Sequence, residues 1–264
     1  MAHHDADQAY WALRRNAGLV ALSAWSAIEV RGADRAAFLH RLLTNALNAL
    51  SPGTGCEAGL TTASAKIIAM LLAHTQATLG AIPLRVIRYS FGLPDGFLLI
   101  TPAAQAQALR QQLLDGGREH GIVPVGWDAF NIARLETGLP WEGLDFDEET
   151  LLPETGLERR AVSYTKGCYV GQEIIARMDT YGSASRRLVG VLGEGTRAPQ
   201  AGDVVALEDQ EIGQITSAAW SPALKRPIAL AWIKRPHYER LDIAVTIRSP
   251  GGAMPAKLAQ PPFV

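Results

Sequence analysis

Apolar and polar positions alternate along this chain with two different textures. Before about residue 185, helical and strand-like spacings are mixed. Gln8 to Asn16 has the spacing of a short helix ended by Gly18, and Ala27-Ile28-Glu29-Val30 reads as a strand. After Gly32, Ala33 to Leu43 puts Phe38, Leu39, Leu42 and Leu43 on one helical face. Ser51-Pro52-Gly53 is a turn, and Cys56 to Thr61 and Lys66 to His74 are predicted strands. The second is continuously apolar, as a strand covered on both faces would be. Arg85 to Phe91 and Phe97 to Thr101 flank Leu93-Pro94-Asp95-Gly96, which predicts a hairpin. Thr101 then Pro102 predicts an N-cap and first helical residue, with the helix running to about Asp115 before Gly116-Gly117. Asp128 to Thr137 is a further predicted helix, stopped by Gly138 and Pro140, and an irregular acidic stretch, Trp141 to Thr155, follows.

After Ser185 the runs shorten. Leu188 to Leu192, Val204 to Leu207, Ile212 to Thr216, Ile228 to Trp232 and Ile243 to Ile247 are separated by Gly, Pro and Asp turns. This spacing predicts a small all-β barrel or sandwich. The fold class expected for the whole is α+β, with a mixed domain over 1–185 and the small β domain over 186–264.

Composition narrows the classes. Apolar residues make up 48% of the 264 and charged residues 19%, the balance of a globular protein with a core. A net charge of -1 provides no global field toward nucleic acid or an anionic membrane, and the paired basic residues are scattered. Neither direct nucleic-acid binding nor a membrane is expected. The longest strongly apolar stretch, Ile67 to Ala73, is too short to span a bilayer. Cys56 and Cys168 are the only cysteines, so neither a disulfide framework nor a four-thiolate cluster can come from this chain alone. No metal ligand set is expected. The N-terminal segment has no apolar core like that of a signal peptide, and a reducing cytoplasm is the expected setting.

One segment concentrates candidate chemistry: Lys166-Gly167-Cys168-Tyr169-Val170-Gly171-Gln172-Glu173. A thiol near a cation and ahead of a helix start has two reasons to ionise. Gly167 and Gly171 allow close approach of a ligand to the backbone. Tyr169 can stack on a planar ring, and Gln172-Glu173 would open a short helix. Buried, inert cysteine is the competing reading, but it accounts for none of these neighbours together.

Together with Arg177, this segment reads KGCYVGQEIIAR and resembles the signature of the YgfZ family of folate-binding, iron–sulfur-supporting proteins. That family belongs to the relatives of the glycine-cleavage T-protein, an aminomethyltransferase. Arg134-Leu135-Glu136-Thr137-Gly138-Leu139-Pro140, Gly143-Leu144-Asp145 and Pro153-Glu154-Thr155-Gly156-Leu157 are similar to further family segments. So are Gly32, Asp34, Phe38-Leu39 and Leu43-Thr44-Asn45. The resemblance implies a T-protein-like folate-binding domain followed by a C-terminal β-barrel. It also implies tetrahydrofolate as cofactor, and iron–sulfur client enzymes, including tRNA-modifying ones, as partners.

Cys168 is the candidate catalytic residue. The candidate cofactor-binding residues are Lys166, Gly167, Tyr169, Gly171, Gln172, Glu173, Arg177 and Glu136. Glu136 is either a pocket carboxylate or a surface acid paired with an arginine. Arg177 either pairs with Glu173 four residues earlier or reaches the glutamate tail of folate. Asn45 either caps the preceding helix or reaches a ligand, and Trp141 closes a core or caps a pocket. Two departures bear on activity. Lys66-Ile67-Ile68-Ala69-Met70-Leu71 lacks the acidic pair of aminomethyltransferases, and Tyr89 to Gly96 lacks their pterin-gripping glutamate. Ala46 and Ala65 also stand where the YgfZ family often has Asp and Gly. A working aminomethyltransferase is therefore not expected, and a folate-dependent one-carbon transferase or demethylase is the alternative to the accessory role.

Overall fold

The computed structural model describes residues 2–23, 25, 27, 28, 30, 32–51, 54–74, 84–89, 91, 93, 96–181 and 184–264. Helix α1 (Ala2–Arg15) leads into β1 (Ala17–Val20) and α2 (Arg35–Leu42). A hairpin of β2 (Gly55–Thr61) and β3 (Ile67–His74) is followed by one of β4 (Arg85–Arg88) and β5 (Phe97–Ile100). Helix α3 (Ala103–Gly116), strand β6 (Ile122–Val125) and helix α4 (Trp127–Glu136) come next. Short helices α5 (Glu158–Ala161) and α6 (Gln172–Tyr181) flank the cysteine segment. Strand β1 runs parallel to β6, from Ala17 opposite Ile122 to Val20 opposite Val125. Helix α1 packs on this pair and on α4, where Tyr10, Val125, Ala129 and Phe130 form a buried cluster.

Six strands then close into a barrel: β7 (Arg186–Gly193), β8 (Val204–Leu207), β9 (Gln210–Ser221), β10 (Arg226–Lys234), β11 (Ala244–Ser249) and β12 (Gly252–Ala259). Their order around the ring is β10-β7-β12-β11-β8-β9, with every pairing antiparallel. The interior is an apolar cluster rich in β-branched residues, among them Val191, Val205, Ile212, Ile233 and Ile247. Burying each such side chain stabilises the fold by about 1.5–3 kcal/mol before entropy is counted. Closure leaves no free sheet edge. The chain is thus α+β with a C-terminal barrel, as its sequence predicts.

Strand β10 joins the two parts. Its Ala229, Ala231 and Ile233 face into the barrel, while Ile228 and Leu230 pack outside it against Leu135 of α4. A buried ion pair reinforces the joint. Arg134 donates to Asp145, whose other oxygen accepts the hydroxyls of Thr216 and Ser217 on β9. Arg134 is fully buried and also bonds Asn131 Oδ1 at 2.8 Å. A buried pair of this kind requires such additional partners to offset its desolvation.

Several local expectations are corrected. Ala17–Val20 is a strand the spacing did not predict, because its partner lies about a hundred residues away. Among the described residues of Ala27–Val30 there is no strand, and Glu29 lies outside them. Pro52, Gly53, Pro94 and Asp95, where two turns are predicted, also lie outside them. Thr101 does not cap α3; Pro102 is the cap residue, without a side-chain bond, and the Thr101 hydroxyl is buried with no partner. Strand β3 is not covered on both faces: Ile67 is buried but Ile68 is half-exposed. Helix α2 buries none of its own side chains, and Phe38 is exposed. Strands β6 and β12 are further elements that the spacing does not signal.

Candidate functional site

The cysteine segment runs without regular structure between α5 and α6 and is pinned at both ends. At its far end Gly171 has φ +83 and sits on the turn between β2 and β3. A Cβ there would stand 2.7 Å from the Thr62 carbonyl oxygen and 2.8 Å from Thr61 Oγ1. Only glycine satisfies both the left-handed backbone and this contact. Thr61 Oγ1 donates to the Val170 carbonyl at 2.8 Å, closing the seat. Helix α6 then begins at Gln172 with Glu173 in its first turn, as expected.

At the near end, Lys166 reaches back to the C-terminal end of α2. Its ammonium donates to the carbonyls of His40, of Leu43 at 2.6 Å and of Asn45 at 3.1 Å, and lies 5.0 Å from the centre of the Tyr169 ring. Carbonyls at a helix C-terminus carry the negative end of its dipole and favour a cation. Burial pulls the Lys166 ammonium below the ordinary lysine range, while the thiol of Cys56 on β2 acts in the opposite sense. Cys56 is pushed up by burial, and the neighbouring Lys166 opposes that shift. His40, whose Nδ1 accepts from the Leu47 amide at 3.1 Å, is pulled down by burial and by Lys166.

The turn that receives Lys166 is itself knitted into the fold. Thr44 Oγ1 donates to the Ala161 carbonyl at 2.6 Å and accepts from the Gly59 amide at 2.8 Å. Asn45 Nδ2 donates to the carbonyls of Glu57 and Arg160. Asn45 therefore neither caps α2, whose C-cap is Leu43, nor is free to reach a ligand through that amide. The Leu43-Thr44-Asn45 and Lys166–Glu173 segments, remote in sequence, are one structural unit.

Between the two anchors the loop is open. The Cys168 thiol is free and exposed, and nothing lies within 4 Å of where a Gly167 Cβ would stand. Tyr169 turns inward, packs with Ile67, Leu152 and Ile175, and has its hydroxyl pushed up by burial to about 12. Its ring is a core residue with one face toward Lys166. Gln172 is partly buried, and Glu173 and Arg177 are both exposed with no ion pair between them. The i,i+4 pairing, one of the two readings of Arg177, is not made.

Glu136 is neither a surface acid nor open to solvent. It is fully buried, and its carboxylate accepts the Tyr10 hydroxyl at 2.8 Å, the Arg14 guanidinium and the Ser221 hydroxyl. Its backbone carbonyl accepts the Phe263 amide at 2.7 Å. The side chain thus clamps α1, α4 and the barrel together. Charge on Glu136 and burial push the Tyr10 hydroxyl well above its ordinary range, burial being the larger cause.

A second feature was not visible in the sequence. Trp141 lies against Trp25, Phe91, Trp127 and Phe130, with ring centres 5.3–6.1 Å apart. Trp25 and Trp127 are each 43% exposed, so this aromatic cluster opens to solvent at two edges. Trp141 itself is partly buried and packs against the core cluster of Tyr10, Val125 and Phe130. Phe91 has φ +47, a strained value for an aromatic residue, and packs against both the Tyr169 cluster and the Tyr10 cluster. Next to it Tyr89 donates to Glu57 at 2.6 Å, and Glu57 also pairs with Arg160. Lys66, just before the strand that lacks the acidic pair, is paired with Glu149. The only hint of the cluster in sequence is the number of tryptophans, six, spread over the chain. Among the described residues no group of three or more His, Cys, Asp or Glu is placed to hold a metal ion. No described helix is long and apolar enough to cross a membrane.

Comparison with known proteins agrees with this architecture. Residues 60–166 match the GCVT N-terminal domain, and residues 186–264 match the glycine cleavage T-protein C-terminal barrel domain. The chain belongs to the glycine-cleavage T-protein-like superfamily. An aminomethyltransferase of Streptomyces avermitilis is 32% identical over 188 residues, 70% of this chain and 50% of that protein. One of Saccharopolyspora erythraea is 36% identical over 170 residues, 64% of this chain and 46% of that protein. The matched part thus spans about half the length of these curated relatives. The crystal structure of aminomethyltransferase T from Bartonella henselae superposes with a TM-score of 0.87 at 20% identity, over 98% of this chain and 89% of that one. That likeness shows the fold.

Proposed function

We propose that this chain binds tetrahydrofolate in its T-protein-like part, with the aromatic cluster around Trp141 as the stacking surface for the planar pterin. The observation that carries this reading is the cluster itself. It places the half-exposed Trp25 beside Phe91 and the half-exposed Trp127 beside Trp141, with Phe91 on the hairpin that corresponds by resemblance to the pterin-gripping one of aminomethyltransferases. The relatives are named aminomethyltransferases, and this favours folate-dependent one-carbon transfer as the activity class. In that role Cys168 acts as nucleophile or substrate positioner.

A second reading is favoured by a separate observation. Strand β3 supplies no acid from Ile67 to Leu71, and the nearby Glu57 is engaged by Tyr89 and Arg160. General acid–base work on a folate nitrogen needs a carboxyl within reach. The exposed thiol of Cys168 beside open Gly167 is the reactive group that remains. This favours an accessory protein of YgfZ type. Its folate and thiol would support iron–sulfur enzymes, including those that modify tRNA, in a reducing cytoplasm where Cys56 and Cys168 stay free.

Titration calorimetry with tetrahydrofolate tests the common element. Binding is expected, and Trp25→Ala or Trp127→Ala should weaken it by about 0.5–1.5 kcal/mol, roughly two- to tenfold in Kd. The absence of both heat and thermal shift at millimolar ligand would remove both readings. The two separate on function. Release of a one-carbon unit from a loaded folate supports the transferase. Restoration of iron–sulfur enzyme activity in a strain lacking its YgfZ-type protein, lost in Cys168→Ala, supports the accessory role.

A further inference from the structure

The position of Lys166, two residues before Cys168, suggests a cation that activates the thiol. Its contacts indicate a different use. A lysine ammonium has three N–H donors, and those of Lys166 meet three acceptors, the carbonyls of His40, Leu43 and Asn45. None is left to donate to Cys168. The carbonyls converge from the end of α2 and the turn that Thr44 and Asn45 stitch to β2 and α5. The acceptors are therefore held by structure rather than recruited by the lysine. With Gly171 seated on the β2–β3 turn, the loop is fixed at both ends, and Gly167, Cys168 and Val170 are its exposed residues between the anchors.

We propose that Lys166 is a positioning residue: by binding three carbonyls at the C-terminal end of α2 it places the loop that presents Cys168, and it acts on the thiol through that placement rather than through its charge. This rests on Cys168 being the reacting thiol. That premise is tested separately by the Cys168→Ala complementation, so the two can fail independently.

The first test uses the intact wild-type chain. Reductive dimethylation resolved by site in mass spectrometry should modify Lys166 at least tenfold more slowly than the exposed Lys225 and Lys234. Equal rates would overturn the proposal, because they would mean an ammonium free of its carbonyls. The second test is Lys166→Met, which keeps the stem and removes the donors. Amide exchange over residues 166–171 should accelerate at least tenfold, while the pH dependence of Cys168 alkylation by iodoacetamide stays where it is in wild type. A shift of that pH dependence toward alkaline values, with loop exchange unchanged, would show activation by charge and defeat positioning. Lys166→Arg should not restore loop protection, since a planar guanidinium cannot aim three N–H groups at converging carbonyls. Should the Met variant fail to fold, the wild-type labelling decides alone.

Discussion

The six strands of the barrel form one antiparallel ring around one apolar cluster. The part before residue 186 spreads its described strands over three separate pairs and its apolar residues over several smaller clusters. Polar burial is distributed the opposite way. Of twelve buried polar or charged residues among those described, nine precede residue 186, and two of the other three, Ser217 and Ser221, bond to Asp145 and Glu136 across the joint. The barrel holds itself by a closed backbone ladder around one apolar cluster, whereas the T-protein-like part is held more by specific side-chain hydrogen-bonded junctions. Such junctions fix geometry well and tolerate substitution poorly, because a lone partner left behind is costly. A site presented by this part is correspondingly well placed and easily disturbed.

The sharpest way to break the contrast is to remove the junction that both parts share. Glu136→Ala leaves Tyr10, Ser221 and Arg14 without their acceptor and should cost about 3–5 kcal/mol in urea unfolding, with exchange protection lost in α1 and α4 before the barrel. A loss below about 1 kcal/mol would mean the clamp is dispensable. Next in size is a change confined to the T-protein-like part. Gly171→Ala forces a Cβ against the Thr62 carbonyl in a left-handed backbone and should cost about 1–3 kcal/mol. It should also alter Cys168 alkylation while barrel exchange stays unchanged. An equal effect on barrel exchange would erase the distinction between the two regions.

The smallest effect lies at the seam. Glu158 of α5 pairs with Arg187 of β7 through one oxygen, and its other oxygen is buried without a partner. Burial raises its pKa more than Arg187, Arg159 and the local backbone lower it. The folded state therefore favours the protonated form. The stability this contributes is complete below the ordinary carboxylate range and is lost as pH rises through the raised value. Glu158→Gln should flatten the stability-versus-pH curve over that window. An unchanged slope would place the titration elsewhere.

Much of the barrel was legible because its strands are short, alternate or run apolar, and end in strong turn residues. Ile228 to Trp232 shows what a continuous apolar run means when it holds: β10 is buried on both faces, by the barrel and by Leu135. The same pattern from Ile67 to Ala73 is misleading, since β3 leaves Ile68 half-exposed. A run of apolar residues encodes the capacity to be covered, not the presence of a cover. In the site, the glycine at 171 and the start of α6 could be read locally. The partner of Lys166, the burial of Glu136 and the gathering of Trp25, Phe91, Trp127 and Trp141 could not.

By itself the sequence determined the class of fold, the two textures of the chain and the segment around Cys168, because helical and strand periods, turn residues and a compact motif are local properties. Only the tertiary structure decided what those residues do for one another. It gave Lys166 three carbonyl partners at the end of α2, set the buried Glu136 between α1, α4 and the barrel, and gathered four distant aromatics into one cluster. The physical reason is that a charge or a ring takes its role from whatever stands within a few ångströms of it, and those neighbours come from segments that chain-local spacing does not connect.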